Sequence, residues 1–227
     1  MLVLSVDSSD RNGSISLSRG GPGEVFDVLE VVQLGGGIFS AQLVPQIAAL
    51  LAKHQAAKQD IAAFAVVSGP GSFTGLRIGL AAVKALAEVL QKPIAGVSLL
   101  EAVARGGTSR GTVLAALDAG RAEVYVGEYE VRSDANRISE TMMTQAELVR
   151  FANGRTVVTP DRNVADMART AALSVEELKR PDSGAIARIG WEKIRAGEIV
   201  SPQALDANYI RRMDGEILAT IRSEAVE

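Results

Sequence analysis

The sequence predicts an α/β protein built by duplication, with two sheet-forming halves flanked by helices. Three observations predict it. Leu2–Val6 and Thr112–Leu117 are apolar runs of strand length, and each leads into an aspartate (Asp7, Asp118), a polar turn and an alternating strand. The two units lie about 110 residues apart, and self-similarity at a fixed spacing marks an internal repeat. In the first half an apolar strand, Ile61–Val67, passes through a glycine-rich turn into a long helical stretch, Leu76–Leu90.

Taken in order, Leu2–Val6 is the first strand, and Asp7-Ser8-Ser9-Asp10-Arg11-Asn12-Gly13 is a turn cluster. Ser14–Ser18 alternates as the return strand of a hairpin, and Phe26–Gln33 is a third β-rich stretch. Ser40–Lys53 carries Leu43, Ile47, Leu50 and Leu51 at helical spacing, and Pro45 predicts a late start or a kink. The Ile61 strand then meets Gly69, Pro70, Gly71 and Gly75, with Ser72 or Thr74 available to cap the following helix. Ala104–Gly111, rich in Gly, Ser and Thr, reads as a linker, dividing the chain into 1–105 and a smaller half, 106–227. The segment after about residue 206 is a candidate to pack back on the first half.

The second half repeats the pattern with Thr112–Leu117, the turn Asp118-Ala119-Gly120-Arg121, Glu123–Tyr129 and Arg137–Met143. Thr144 and Glu147 form a capping box for a short helix that stops at Asn153-Gly154. Ser183 reads as the cap of a helix that ends at Gly197, with Ile186, Ile189 and Trp191 facing inward.

Composition removes several classes of function. Hydrophobic residues make up 47% of the 227, enough for a sizeable core, and the net charge of −3 includes no basic block to follow a nucleic-acid backbone. There is no cysteine, hence no disulfide, thiol nucleophile or zinc–thiolate site. Met1–Asp7 has no basic flank and too short an apolar run for a signal peptide, and no stretch is long enough to span a membrane, so a cytoplasmic location is expected.

The glycine-rich turn fails two phosphate templates. Gly75 is followed by Leu76-Arg77 rather than by Lys and Ser/Thr, and Thr74 stands where a dinucleotide fingerprint needs its third glycine. The helix beyond it suggests another use. From Leu76 to Leu90 the charges are Arg77, Lys84 and Glu88, on one narrow stripe, and Gly75, Gly79, Ala81, Ala82 and Ala85 would let another backbone come close. A helix apolar around most of its circumference is covered either by a partner chain or by its own domain.

Paired strand-end carboxylates suit a hard cation with phosphates, so Asp7 and Asp118, with Ser8 and Arg121 beside them, are candidates for a Mg-ATP site; each Asp also suits a simple turn cap. A small-molecule kinase or ATPase is therefore the alternative reading. His54 is the only histidine, which argues against a metallopeptidase or a serine hydrolase.

Five segments resemble the bacterial TsaB (YeaZ) family: Ser68-Gly69-Pro70-Gly71-Ser72-Phe73-Thr74-Gly75-Leu76-Arg77-Ile78-Gly79, Leu4–Ser9, Ser40–Ile47, Asp118–Tyr125 and Asn208–Arg211. The resemblance implies an actin-like, Hsp70-like (ribonuclease H-like) duplicated fold with two βββαβα-type halves, the second reduced. It implies a non-catalytic subunit of the machinery that makes N6-threonylcarbamoyladenosine next to the tRNA anticodon. The implied partners are a catalytic paralogue of TsaD type and an ATPase of TsaE type, with a homodimer in isolation and tRNA held only through the complex. ATP or ADP and the metal belong to those partners, with none bound by this subunit alone. The implied interface uses Phe39, Ser40, Leu43, Val44, Ile47 and Leu51 of one helix. From the other it uses Gly71, Ser72, Phe73, Thr74, Gly75, Leu76, Arg77, Ile78, Gly79, Leu80 and Val83. The sequence departs from the family pattern at Phe39, usually His, at Gly120, usually a basic or polar residue, and at Ala207, usually Pro.

Overall fold

A computed structural model describes residues 1–210 except Pro22, Glu24, Gly36 and Gly37; Arg211, the last residue of the C-terminal motif, lies outside the described residues. The chain forms two compact units. The first comprises Met1–Ala102 and Pro181–Asn208; the second comprises Val103–Arg180, with Tyr209 and Ile210.

The first unit holds β1 (Leu2–Asp7), β2 (Gly13–Arg19), β3 (Asp27–Leu34), α1 (Phe39–Lys53), β4 (Ile61–Gly69), α2 (Phe73–Leu90) and β5 (Ile94–Ser98). Its sheet order is β3-β2-β1-β4-β5. β1 to β3 run antiparallel, whereas β4 and β5 are parallel to β1. The second unit follows α3 (Leu99–Gly106) with β6 (Gly111–Gly120), β7 (Glu123–Val131), β8 (Ala135–Thr144), α4 (Gln145–Ala152), β9 (Thr156–Thr159), α5 (Arg162–Thr170) and β10 (Val175–Glu177). Its order is β8-β7-β6-β9-β10 with the same directions. The duplication is thus exact in topology. It is reduced in the second unit, whose last two strands are short.

Both faces of the first sheet are covered, so β1 and β4 read as continuous apolar runs. Side chains alternate across β2. A Cβ on Gly13 would meet the Phe39 ring of α1 at 2.7 Å. On the opposite face, Ser14 Oγ accepts the Ser183 N–H at 2.8 Å and Ser16 Oγ donates to the Ser183 carbonyl at 2.9 Å. Ser183 opens α6 (Ser183–Ala196). This helix follows β10 in sequence, yet it packs on the first sheet, with Ile186, Ile189 and Trp191 buried. Gly190 lets α6 approach β4 so closely that a Cβ there would run into the Ala65 Cβ. A linear division at 105/106 puts this helix in the second half; its contacts put it in the first, because its apolar and small-residue face fits that sheet. The chain then stays there: the Val200 N–H donates to the Ile94 carbonyl at 2.9 Å, and the Asn208 N–H to the Ser68 carbonyl at 2.7 Å.

Three local expectations change. Pro45 does not delay α1, whose first turn is already closed by the Ala41 and Gln42 N–H groups donating to the Ile38 carbonyl. Asp182, not Ser183, caps α6, its Oδ1 accepting from the Gly184 and Ala185 N–H groups at 3.0 and 3.3 Å. Ala104–Gly106 of the expected linker is the end of α3. The next residues are held fast, because the Glu176 carboxylate on β10 accepts from both the N–H and the hydroxyl of Thr108 and of Ser109. The second unit closes around Leu114, Val124, Val126, Met143, Leu148, Val157 and Val164.

Candidate functional site

The glycine-rich run exists to bring α2 against the β1–β2 turn. Ser72 caps α2 by accepting the Gly75 N–H at 3.3 Å, and its own N–H donates to the Ser9 carbonyl at 2.7 Å. A Cβ at Gly71 would collide with the Ser9 carbonyl oxygen, one at Gly75 with the Ser8 carbonyl oxygen, and one at Gly79 with Ser8 Oγ. Ser8 Oγ in turn donates to the Gly75 carbonyl at 2.8 Å. Asp7 is 3% exposed, and its Oδ1 accepts the Ser9 N–H at 2.9 Å and the Ser9 hydroxyl at 2.6 Å. A phosphate cradle needs a Gly-lined turn whose N–H groups face open space. Here the Ser9 N–H is taken by Asp7 and the Ser8 hydroxyl by the Gly75 carbonyl, so neither faces open space.

Asp118 is exposed, and its Oδ1 accepts the Gly120 N–H at 2.7 Å, which closes the β6–β7 turn. Arg121 and Ala122 form the tip of that turn at φ of 53° and 61°. This is the turn-capping role that Asp fills in tight hairpins. The single histidine is structural in its contacts: His54 Nε2 lies 2.9 Å from Glu30 Oε2, and Lys53 Nζ lies 2.7 Å from Glu30 Oε1. Hydrogen bonds from Lys53, then from His54, hold the Glu30 carboxyl below the usual carboxylate range. The cluster ties the end of α1 to β3.

The helix pair α1 and α2 packs side by side on one face of the first sheet. The residues expected at a partner interface divide into two sets. Phe39, Leu43, Ile47, Leu51, Gly75, Leu76, Gly79, Leu80 and Val83 are buried within the chain itself. The reason is simple: spacing of i, i+4, i+7 and i+8 marks the stripe a helix turns toward its own sheet. Ser40, Val44, Ser72, Phe73, Thr74 and Arg77 are exposed, and Gly71 and Ile78 are partly so.

The outward surface is nonetheless unusual. Along α1 the exposed positions are Ser40, Ala41, Val44, Pro45, Gln46, Ala48, Ala49 and Ala52, with no charge before Lys53. Along α2 a stripe of Phe73, Arg77, Ala81, Ala85 and Val89 faces outward at four-residue spacing. Val44 is 58% exposed, Phe73 53% and Val89 76%. A solvated helix face ordinarily carries charges of both signs. Two neighbouring helices whose outer faces are mostly Ala, Val, Pro and Phe, with few charges among them, present the small, apolar surface that helix–helix docking uses. The exposed alanines of α1 give little hydropathy signal; the lack of charge between the buried positions is the mark of this outer face in the sequence.

The twice-repeated five-stranded sheet with its flanking helices defines a duplicated α/β protein of the actin-like, ribonuclease H-like kind. Solved structures agree on the fold. YeaZ from Pseudomonas aeruginosa aligns with a TM-score of 0.74 at 22% identity, covering 92% of this chain and 99% of that one. An activator of 2-hydroxyisocaproyl-CoA dehydratase from Clostridium difficile aligns with a TM-score of 0.51 at 10% identity, covering 87% of this chain and 97% of that one. The sequence matches the family model described as "TsaD: tRNA N6-adenosine threonylcarbamoyltransferase" over residues 38–182, well over half of its length. The chain belongs to this family, in its TsaB/YeaZ branch. The tRNA threonylcarbamoyladenosine biosynthesis protein TsaB of Bacillus subtilis is 34% identical over 134 residues, 59% of this chain and 57% of that protein. TsaB of Escherichia coli is 34% identical over 153 residues, 65% of this chain and 62% of that protein. An uncharacterized protein of Mycobacterium tuberculosis is 31% identical over 191 residues, 84% of this chain and 83% of that protein. The matched stretches thus span somewhat over half of the named TsaB proteins.

Proposed function

We propose that this chain acts in the biosynthesis of tRNA N6-threonylcarbamoyladenosine as a non-catalytic subunit. It docks on a catalytic paralogue of TsaD type, which transfers the threonylcarbamoyl group, and holds that paralogue in its active form. The observation that carries this reading is the sparsely charged, largely small and apolar outer face of α1 and α2, left at the surface after the first unit has folded. The names of the B. subtilis and E. coli relatives supply the pathway. An ATPase of TsaE type joins the assembly, tRNA is held through the complex, and a second copy of this chain covers the face when the paralogue is absent. ATP or ADP and the metal sit on the partner subunits; the close packing of Ser8 and Ser9 against α2 supports leaving phosphate chemistry to them. The assembly works in the cytoplasm, where its tRNA substrate is; none of the helices in the described residues is long and apolar enough to cross a membrane.

Reconstitution tests this. Purified paralogue, ATPase subunit, threonylcarbamoyl donor and tRNA are combined with or without this chain, and modified adenosine is measured. The expected result is loss of modification on omission, recovery with wild type, and no recovery with Ala81→Arg, which places a charge in the centre of the exposed stripe. Full modification without this chain, or full recovery with Ala81→Arg, would overturn the proposal.

A further inference from the structure

The second unit repeats the element order of the first, so α4 and α5 follow its third and fourth strands as α1 and α2 do in the first. Between them lies an open groove of about 360 Å³, lined by Gln145, Ala146 and Val149 of α4 and by Met167, Thr170 and Ala171 at the end of α5. No lining residue carries a charge. Met167 joins the groove to the core, packing against the cluster that holds Leu148 and Val164. Val149 and Met167 are half-buried, and Ala146 is exposed. A methionine in such a place adapts its shape to whatever covers it. Among the described residues of this unit the exposed large hydrophobics are Ile138 and Tyr209, so no broader apolar patch competes with the groove.

The sequence supplies an occupant. Residues 211–227 follow Tyr209 and Ile210, which count with the second unit. Within them Ile217, Leu218, Ile221 and Ala225 recur at i, i+1, i+4 and i+8, the apolar stripe of an amphipathic helix. Glu216, Thr220, Ser223 and Glu227 fall on the opposite side. Asp214 stands where such a stretch would be capped. A short amphipathic helix is marginal in water unless another surface covers its apolar face. As a helix, 216–226 would be about 16 Å long, and 211–215, extended, would reach up to about 17 Å. Together they cover about 33 Å, enough to cross a unit of this size, whose expected radius of gyration is about 12 Å.

We propose that 211–227 is a strap of this chain's own second unit, in which 216–226 forms a helix that lays Ile217, Leu218 and Ile221 into the α4–α5 groove. Helix-in-groove recognition uses anchors at this spacing. Strap and groove belong to one chain, so the contact is made at a high effective concentration and does not depend on how much protein is present. Any other protein that used the groove would first have to displace the strap. Neither α1 nor α2 takes part.

The test is thiol labelling, which the absence of native cysteine makes specific. Ala146→Cys reports on the groove, and Val25→Cys, at a position 89% exposed in the first unit, is the reference. Each is measured in the full chain, in a chain ended after Ile210, and in a full chain carrying Ile217→Asp and Ile221→Asp. The double substitution keeps the test valid if the shortened chain fails to fold. Labelling of Ala146→Cys is slow in the full chain and at least about fivefold faster in both altered chains, with the reference rate unchanged. The protection is the same at every protein concentration. Equal rates in the full and altered chains would overturn the proposal. Protection that survives the double substitution would refute the apolar anchors. Protection that grows with concentration would refute the assignment to the chain's own strap and give the groove to a second copy.

Discussion

Gly75→Ala tests whether the glycine-rich run serves packing. Gly75 is in the first turn of α2, so helix propensity alone favours alanine by up to about 1 kcal/mol. The structure predicts the opposite sign. The added Cβ would fall on the Ser8 carbonyl oxygen, which is backbone and sits in a turn fixed by the Asp7 and Ser9 hydrogen bonds. Overpacking of this kind costs about 1–3 kcal/mol, and more where backbone must move. Relief requires α2 to lift from the turn, which also stretches the 2.8 Å bond from Ser8 Oγ to the Gly75 carbonyl, a further loss of about 1 kcal/mol. The net expectation is destabilisation by about 1–3 kcal/mol, the sum of these opposing effects. Urea denaturation followed by Trp191 fluorescence and by circular dichroism reads it as a lower midpoint. Ala81→Gly on the exposed side of the same helix is the comparison and loses only about 1 kcal/mol. If Gly75→Ala proves as stable as wild type or more so, the close approach of α2 to the β1–β2 turn is wrong.

Two further predictions concern the remaining contacts. Leu80 is buried against the sheet, so Leu80→Ala lowers stability by about 2–5 kcal/mol. The exposed neighbour Ala81→Arg leaves the urea midpoint within about 0.5 kcal/mol of wild type; equal losses at both positions would mean that the helix is turned differently. Glu176 gives the second unit an acid-sensitive point. Partial burial raises its pKa, but hydrogen bonds from the Ser109 hydroxyl, the Thr108 and Ser109 N–H groups and the Thr108 hydroxyl outweigh that and lower it to about 2. A carboxyl whose folded pKa is depressed contributes stability above its unfolded value of 4.5, and that contribution is lost as the pH falls toward 2. Between those limits wild type therefore loses stability faster than Glu176→Gln in pH-dependent urea melts. Parallel curves would show that the carboxylate does not hold the Thr108–Ser109 segment.

Much of the architecture is legible in the sequence because local signals agree with the packing. The Thr144–Glu147 capping box is reciprocal in the structure, with Glu147 N–H to Thr144 Oγ1 at 3.2 Å and Thr144 N–H to Glu147 Oε2 at 2.8 Å, and Asn153 ends the helix in the left-handed region. Elements lacking such punctuation were missed. β5 passes directly into α3 at Ser98 and Leu99 with no turn between them, and β9 and β10 are too short to show alternation. The serines of β2 alternate as a half-solvated strand would, yet Ser14, Ser16 and Ser18 are buried; nothing local says that a helix from residues 183–196 covers them.

The candidate site was legible in location but not in detail. Periodicity singles out α1 and α2, and the glycine-rich run marks the start of α2; that this run packs on the β1–β2 turn has no local signal. The large apolar residues that make the helices conspicuous, such as Leu43, Ile47 and Leu80, are the ones the monomer buries. The exposed outer face, the surface proposed to dock, consists instead largely of alanines with Val44, Pro45 and Phe73, and the alanines give a weak hydropathy signal.

A chain without cysteine permits the most direct test of that surface. Single cysteines are introduced by Val44→Cys and Ala81→Cys on the helix face, and by Ile138→Cys on β8, which is 57% exposed, as a reference. Thiol labelling rates are measured for each protein alone and with the purified paralogue at about ten times the dissociation constant, where roughly a tenth of the chain is free. The account predicts labelling slowed about tenfold at Val44→Cys and Ala81→Cys and unchanged at Ile138→Cys. Labelling of both helix positions at the free-chain rate, in a complex shown by sedimentation to have formed, would contradict it.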